Sequence, residues 1–251
     1  MGVPKMPYLE ATLKAGKVIE VTKYHTSKYK SPKRPKSENK NTTPLNQEKI
    51  NERNSQRKLY LLINANFKEN DLYLTLTYDK RTVAPEPDKA KSNLSKFIRK
   101  LRDYYKKLGS ALKYIAITEH KKRRIHHHVL INQIGIGVNH IKKFWDNGFP
   151  KVQLFAGEPE DCERLACYFI KESNNSFNTE DKVHGLRWIS SKNLIHPVPE
   201  IRVIHASSWR EEPKPIRGYY IAVIRRGTNQ QNYPFQFYRM IKLPGEDEEG
   251  G

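Results

Sequence analysis

Three consecutive histidines, His126, His127 and His128, stand in the segment RIHHHVLIN, directly after the basic run KKRR. The apolar residues that follow them indicate a β-strand. Because side chains alternate along a strand, His126 and His128 would point to one face and His127 to the other. Two imidazoles on one face are a candidate metal-binding pair. The plainer alternative is that the histidines only extend the basic patch.

A third candidate ligand lies on the preceding segment, KYIAITE, which also has the pattern of a strand. If the two strands form an antiparallel hairpin with an even-numbered loop centred on KKRR, Glu119 faces His126 across the ladder. Such residues have Cβ atoms about 4.5–5.5 Å apart, close enough for a carboxylate and two imidazoles to reach one cation. This mixed set suits Mn²⁺, Mg²⁺ or Zn²⁺. His120 is the rival ligand if the loop is odd-numbered and the register shifts by one residue.

A metal site on a strongly basic protein favours phosphoryl chemistry on nucleic acid, and reversible cutting of DNA without a high-energy cofactor needs a covalent nucleophile. Among the fourteen tyrosines, Tyr168 stands on the flank of the apolar stripe of a predicted helix at 160–172. Lys171 and Arg164 lie on its side of that helix. A nearby cation would help a phenol, whose pKa is ordinarily about 10, to ionise. Tyr104, which also has a lysine three residues on, is the competing candidate.

The charge balance of the chain favours a polyanionic partner. There are 46 Lys and Arg against 27 Asp and Glu, which gives a net charge of +19, so nucleic acid is the first candidate and an anionic membrane surface the second. No apolar stretch approaches the roughly 20 residues of a spanning helix, and the first residues lack the apolar core of a secretion signal. We therefore expect a soluble, intracellular protein with no membrane partner. Cys162 and Cys167 have neither CxxC nor zinc-ligand spacing, which predicts ordinary free thiols.

The hydrophobic periodicity predicts the elements that must position these residues. Their order is β-α-β-β-α-β-α. It indicates an α+β fold in which an antiparallel sheet has helices packed on one side, as in a split βαβ or ferredoxin-like core. The predicted strands are 72–78, 113–119, 124–132 and 151–155, and the predicted helices are 88–108, 138–145 and 160–172.

This core predicts a domain at residues 63–178 between two extensions. Residues 1–62 form a basic N-terminal extension with an isolated strand at 18–24, a linker, and a helix that begins at Thr43-Pro44. Residues 179–251 form a basic and aromatic C-terminal region with an acidic tail. No Gly-rich phosphate loop is present, so any motor that unwinds DNA must be a separate protein.

Three segments together resemble the HUH endonucleases. LYLTLTY is similar to the first motif of that family, RIHHHVLI to its His-hydrophobe-His motif, and YFIK to its Tyr-x-x-Lys motif. Their order resembles the single-tyrosine initiators of rolling-circle replication in small phages and related plasmids. The resemblance extends from about Ile63 to Asn175. His127 departs from the pattern, because the family normally has a bulky apolar residue there.

The resemblance implies a metal-dependent nickase and strand transferase. His126, His128 and Glu119 would hold Mg²⁺ or Mn²⁺, Tyr168 would attack one phosphodiester of a single-stranded origin, and Lys171 would position the phosphate or the metal. The products would be a 5′-phosphotyrosyl link and a free 3′-OH. A host polymerase would extend that end with the help of a host helicase, in the cytoplasm of a bacterial cell.

The basic flanks supply candidate DNA contacts, since phosphate binding is largely independent of sequence and aromatic rings stack on unpaired bases. Two alternatives stay open: a mobilisation or transposition nuclease with the same chemistry, and a non-catalytic nucleic-acid-binding protein whose histidines form a basic patch or a structural zinc site. In the second case activity would not depend on Tyr168. The candidate contacts are Lys122, Arg123 and Arg124 in the hairpin loop, Arg164 on the last helix, and Arg187, Trp188 and Lys192 in LRWISSKN.

Overall fold

The computed structural model describes residues 8–26, 45–79, 81, 85–121, 124–177, 187–206, 209–228 and 232–245. These residues form two antiparallel five-stranded sheets and four helices, which confirms the α+β class. The basic segment at 27–44, Lys122, Arg123 and the acidic tail lie outside the described residues. None of the helices in the described part of the chain is long and apolar enough to cross a membrane.

Between residues 72 and 177 the elements follow the predicted order β-α-β-β-α-β-α. The strands are β1 (Tyr8–Ala15), β2 (Val18–His25), β3 (Leu72–Thr77), β4 (Tyr114–Lys121), β5 (Arg124–Ile131), β6 (Pro150–Leu154), β7 (Ile189–Ser190), β8 (Glu200–Ile204), β9 (Tyr219–Thr228) and β10 (Pro234–Lys242). The helices are α1 (Leu45–Asn66), α2 (Pro87–Lys107), α3 (Val138–Phe144) and α4 (Pro159–Phe177).

The chain divides into two compact units. The central unit comprises residues 50–195, and the terminal unit comprises residues 1–49 together with 196–251. The sequence suggested three consecutive segments instead. The difference arises because strands near both ends of the chain pair in one sheet, and such long-range pairing leaves no local sequence pattern.

The sheet of the central unit has the strand order β6-β3-β5-β4-β7, with antiparallel neighbours throughout. Its first four strands, joined through α2 and α3, have the ferredoxin-like order that the sequence predicts. The strand β3 alternates as expected: Leu72, Leu74 and Leu76 are buried, and the residues between them are half-buried.

Helices cover both faces of this sheet, whereas the sequence predicted helices on one side. The leucines of β3 pack with α2 and α3 in one core that includes Phe97 and Trp145. The helix α4 packs against β4 from the opposite face, where its Phe169 lies 6.3 Å from the ring of Tyr73. Both faces need a cover because the two hairpin strands are apolar on each side, and the side of α4 receives Ile115, Ile117 and Leu130, all fully buried.

A buried carboxylate fixes the entrance to β3. Asp71 accepts hydrogen bonds from the backbone N–H of Lys68 at 2.9 Å and from that of Gln133 at 2.7 Å. Burial raises the pKa of Asp71. The two backbone bonds satisfy a group that would otherwise be costly to bury, and they tie the start of β3 to the loop that follows β5.

The sheet of the terminal unit has the strand order β8-β1-β2-β10-β9. Its strand β2, expected as an isolated strand, pairs with β1 along its full length and with β10 on its other edge. The helix predicted to run to about Ile63 is α1, which continues to Asn66.

Candidate active site

The hairpin of β4 and β5 has the register that was predicted for an even-numbered loop. Glu119 pairs with His126, and His120 pairs with Ile125. The even-numbered loop is therefore confirmed, and the shifted register that would have put His120 opposite a histidine does not form. His128, two residues along, pairs with Ile117.

His128 is held from both of its ring nitrogens. Its Nε2 lies 2.9 Å from Oε2 of Glu119, and its Nδ1 lies 2.8 Å from the hydroxyl of Tyr73 and 3.4 Å from that of Thr75. Both His128 and Glu119 are buried. The neighbouring strand β3 thus orients the imidazole through two hydroxyls. Tyr73 and Thr75 were not among the predicted site residues, although their alternation with the leucines of β3 places them on the polar face of that strand.

The hydroxyl of Tyr168 lies against both candidate ligands. It donates a hydrogen bond to Oε2 of Glu119 at 2.9 Å and lies 3.1 Å from Nε2 of His128. The rings of Tyr168 and His128 meet edge to face, with centroids 5.2 Å apart. The helix α4 therefore positions a phenol where the carboxylate of Glu119 and the imidazole of His128 converge.

Tyr104, the competing nucleophile, lies on the other side of the sheet. It is on α2, packs against the core shared with α3, and has its ring 4.8 Å from that of His140 and 5.6 Å from that of Phe144. An aromatic cluster of this kind explains its burial without any chemistry. The geometry favours Tyr168.

The pKa of Tyr168 is not set by the two cations expected beside it. Arg164 forms an ion pair with Asp161 on its own helix, and Lys171 is exposed. Burial is the main cause that raises the pKa of Tyr168, followed by its hydrogen bond to Glu119; the charge of Glu172 adds to the effect. At neutral pH the side chain is thus a neutral phenol whose O–H donates a hydrogen bond to a carboxylate.

Glu119 is the anion of the cluster. Its hydrogen bond with His128 is the main cause that lowers its pKa to about 2, and burial opposes that shift. A contact with Glu172 also lowers the pKa of Glu119. Glu172 is buried on α4, one turn after Tyr168. It was not among the residues predicted from the sequence, although a spacing of four residues on a helix predicts a shared side.

The side chains of this cluster are of the types that bind a divalent cation. Glu119 and His128 are in contact, and the half-buried His126 occupies the paired position opposite Glu119, on the same face. Oxygen and imidazole donors of this kind bind Mg²⁺, Mn²⁺ or Zn²⁺. Within the described ranges, however, no three His, Cys, Asp or Glu side chains lie close enough together to form a ready-made metal site. His126 would have to approach the other two on binding.

His127 faces away from this cluster, as the alternation predicts. It is fully buried, with its Nε2 3.0 Å from the hydroxyl of Tyr78 and its Nδ1 2.9 Å from that of Thr118. The ring of Trp145 packs edge-on against it, with centroids 5.6 Å apart. These contacts belong to the core under α2 and α3, which makes His127 a structural residue.

Residues 71–176 match the model of a family described as replication-associated protein ORF2/G2P. The central unit resembles a replication-associated protein. The match runs from the start of β3 almost to the end of α4, so it includes every residue of the cluster described above. It associates the chain with replication. No curated protein and no solved structure shows significant similarity to the chain.

The predicted DNA contacts lie in several places. Lys122 and Arg123 fall outside the described residues, and Arg124 is exposed at the start of β5. Arg187 and Trp188 are half-buried just before β7, which pairs with β4 through Ala116 and Ile115. Lys192, which follows β7, is exposed.

An exposed lysine on the edge strand β6 was not singled out by the sequence analysis. Lys151 pairs with Thr75, which in turn pairs with His128. Paired residues share a face of the sheet, so Lys151 lies on the face of the cluster, two strands from His128. Only the register, not the local sequence, places this cation there.

Proposed function

We propose that this protein is a replication initiator that nicks and rejoins single-stranded DNA by an HUH-type mechanism, with Tyr168 as the nucleophile. The observation that carries the proposal is the position of the Tyr168 hydroxyl, within 3.1 Å of both Glu119 and His128. The family match to a replication-associated protein supports it independently. The reaction would serve rolling-circle replication of a phage, plasmid or related element.

In the forward step, the phenolic oxygen of Tyr168 attacks the phosphorus of one phosphodiester. The bond from phosphorus to the 3′-oxygen breaks, the 3′-oxygen takes up a proton, and a 5′-phosphotyrosine remains. Glu119 holds the hydroxyl in place and is the nearest acceptor of its proton, at 2.9 Å. In the reverse step a 3′-OH attacks the phosphorus of the phosphotyrosine, the bond from phosphorus to the phenolic oxygen breaks, and Tyr168 takes up a proton. The phosphodiester re-forms without further energy because the covalent link conserves the bond energy.

A divalent cation fits this scheme through Glu119, His128 and His126. When bound there, Mg²⁺ or Mn²⁺ would neutralise the scissile phosphate and favour the ionised phenol. Such help is needed because burial and the carboxylate raise the pKa of Tyr168. Tyr73 would keep its hydrogen bond to Nδ1 of His128, which leaves Nε2 as the donor atom toward the cation.

The face around Tyr168 suits a single strand. The paired row of Lys151, Thr75 and His128 offers one exposed cation and one small hydroxyl beside the cluster. Lysines supply salt-dependent affinity for phosphates. The net charge of +19 acts in the same direction over the whole chain.

Covalent trapping tests the proposal. Single-stranded oligonucleotides that tile the DNA flanking the gene are incubated with the protein and Mn²⁺ or Mg²⁺, and adducts are detected in denaturing gels. We expect one oligonucleotide to give an adduct that Tyr168→Phe abolishes and the matched variant Tyr104→Phe retains. An adduct that survives in Tyr168→Phe would disprove the assignment of the nucleophile. Salt-sensitive binding without any adduct would instead favour a non-catalytic DNA-binding protein.

A further inference from the structure

The terminal unit contains a groove that lies outside the family match. The segment 209–216 runs over one face of the terminal sheet. The side-chain amide of Gln236, on β10, donates hydrogen bonds to the backbone carbonyls of Arg210 and Glu211 at 3.0 and 2.8 Å. Trp209 stacks on Tyr8 of β1, with centroids 4.3 Å apart and ring planes 8° apart. The segment is therefore fixed to the sheet at its start, and the groove beside it is a built feature of the unit.

The groove has a cationic lining. Its walls carry more basic than acidic side chains, and its volume is about 440 Å³, within the range of sites that hold one small ligand. The acids are Glu10 and Glu200. The basic residues are Lys14, Lys23, Arg202, Arg210 and Lys214.

One buried acid organises two of these cations. Glu10 accepts a hydrogen bond from Nε of Arg202 at 2.7 Å, and its carboxylate lies 3.6 Å from Nζ of Lys23. The three residues face one another across β8, β1 and β2. The ammonium of Lys23 also lies 5.7 Å from the ring centre of Tyr238, which forms part of the floor. Glu10 and Tyr238 are buried, so this end of the groove is preorganised.

The remaining cations stand at the rim. Lys14, Arg210 and Lys214 are exposed, and the side chain of Arg202 keeps 72% of its surface exposed despite its bond to Glu10. They come from β1, β8 and the segment 209–216. Cations that converge on one groove from three parts of the unit provide a local positive field that favours an anionic ligand.

We propose that this groove binds the sugar–phosphate backbone of single-stranded nucleic acid, as a second contact separate from the cluster around Tyr168. A groove of this volume admits one nucleotide unit, and the rim cations meet the phosphates on either side of it. A double helix is too wide to enter. The choice of nucleic acid as the anion rests on the proposed function; the cationic groove itself does not.

The test measures the salt dependence of binding in the full-length Tyr168→Phe protein, from which the proposed nucleophile has been removed. The probe is a fluorescent oligothymidylate, and the groove variant is Arg210→Ala with Lys214→Ala. For single strands the slope of log K against log salt changes by about 0.7 per phosphate contact, so we expect the slope to become shallower by about 1.4. The matched control, Lys142→Ala with Lys143→Ala, removes two exposed lysines from α3 and should keep the parental slope.

Two further variants separate charge from packing. Arg210→Lys with Lys214→Arg keeps both charges and should keep the slope, and thermal melts should show that all variants are folded. An unchanged slope in the alanine variant would overturn the proposal, as would an equal loss in the charge-preserving variant. If the alanine variant loses binding to vesicles of phosphatidylserine and phosphatidylcholine but keeps its DNA slope, the groove serves an anionic membrane surface instead. If the protein with Tyr168 intact forms no covalent adduct, the proposed nickase function fails, but these salt slopes are unaffected. The proposed function and the proposed groove can therefore be disproved separately.

Discussion

His127 and His128 are adjacent and identical in type, yet the two faces of the sheet give them opposite properties. On the face of α2 and α3, His127 is enclosed by Tyr78, Thr118 and Trp145. On the face of α4, His128 contacts an anionic carboxylate and the hydroxyl of Tyr168. The difference teaches that strand alternation can place two neighbouring histidines in different surroundings, one in a neutral core and the other beside a carboxylate and a phenol.

The two faces also differ in how their polar groups are balanced. The hydroxyls around His127 are neutral partners, and burial raises the pKa of Tyr78, which keeps it a neutral donor. The other face contains an anion, Glu119. Its hydrogen bond to His128 is the main cause that lowers its pKa to about 2. The neutral cluster around His127 offers no negative charge to a cation, whereas the carboxylate of Glu119 does.

The largest effect should follow from removing the histidines on the face of α4. We expect His126→Ala with His128→Ala to reduce metal-dependent cleavage by more than about 100-fold, since loss of ligands costs more than loss of the groups that orient them. Salt-sensitive DNA binding should persist, because the cations that supply it are unchanged. Gel assays of cleavage and anisotropy measurements of binding check the two halves. Normal cleavage would mean that these histidines are not ligands.

The second effect concerns the closed face. His127→Ala should lower the free energy of unfolding by about 2–3 kcal/mol, because it leaves a cavity and removes a hydrogen-bond partner of the hydroxyls of Thr118 and Tyr78. Urea denaturation measures the change, and the exposed His196→Ala is the control. Cleavage per folded molecule should stay close to normal. A stable variant that has lost its activity would erase the contrast between the two faces.

A smaller effect is expected from a hydroxyl that only orients His128. Tyr73→Phe removes the closer of the two hydroxyls at Nδ1 and should weaken Mn²⁺ binding by about 10-fold. Calorimetric titration of the metal gives the value. Tyr78→Phe removes the corresponding hydroxyl beside His127 and should leave the Mn²⁺ affinity unchanged. Equal losses in both variants would point to a general loosening of the sheet.

The smallest effect is a dependence of stability on pH. Because the folded-state pKa of Glu119 lies below its ordinary value of 4.5, its ionised form stabilises the fold above about pH 4.5, and this contribution is lost as the pH falls toward 2. Glu119→Gln should therefore lose less stability than the parent over that interval. Denaturation midpoints at several pH values measure the difference, with Asp103→Asn on α2 as the control. Parallel curves for the parent and Glu119→Gln would contradict the prediction.

Much of the central unit could be predicted because its signals are local. The leucines of β3, the apolar stripe of α2 and the short hairpin loop fix the elements and their order. The pairing of Glu119 with His126 was predicted only for an even-numbered loop, and the sequence left the odd-numbered alternative open. The sequence could not place Tyr73 and Glu172 against the cluster, since their contacts depend on which strand lies beside β5 and on which face α4 packs.

The terminal sheet was not predicted for a related reason. Each of β1, β2, β9 and β10 alternates or is apolar enough to be a strand, but no local pattern joins the first pair to the last. The sequence did not predict which face of the sheet α4 covers. Ile115 and Ile117 are apolar, but an apolar residue in a strand can belong to either face, and only the structure shows that α2 occupies the opposite one.

The pairing of Val21 in β2 with Tyr238 in β10 has a consequence for how the protein is made. A ribosome releases β1 and β2 early, yet the edge of β2 stays open until the last strands have been synthesised. The central unit is continuous in sequence, so its own sheet can form during that interval. Synthesis thus produces the candidate nuclease before the groove, and a chain that stalls before β9 would carry an unpaired strand edge prone to association.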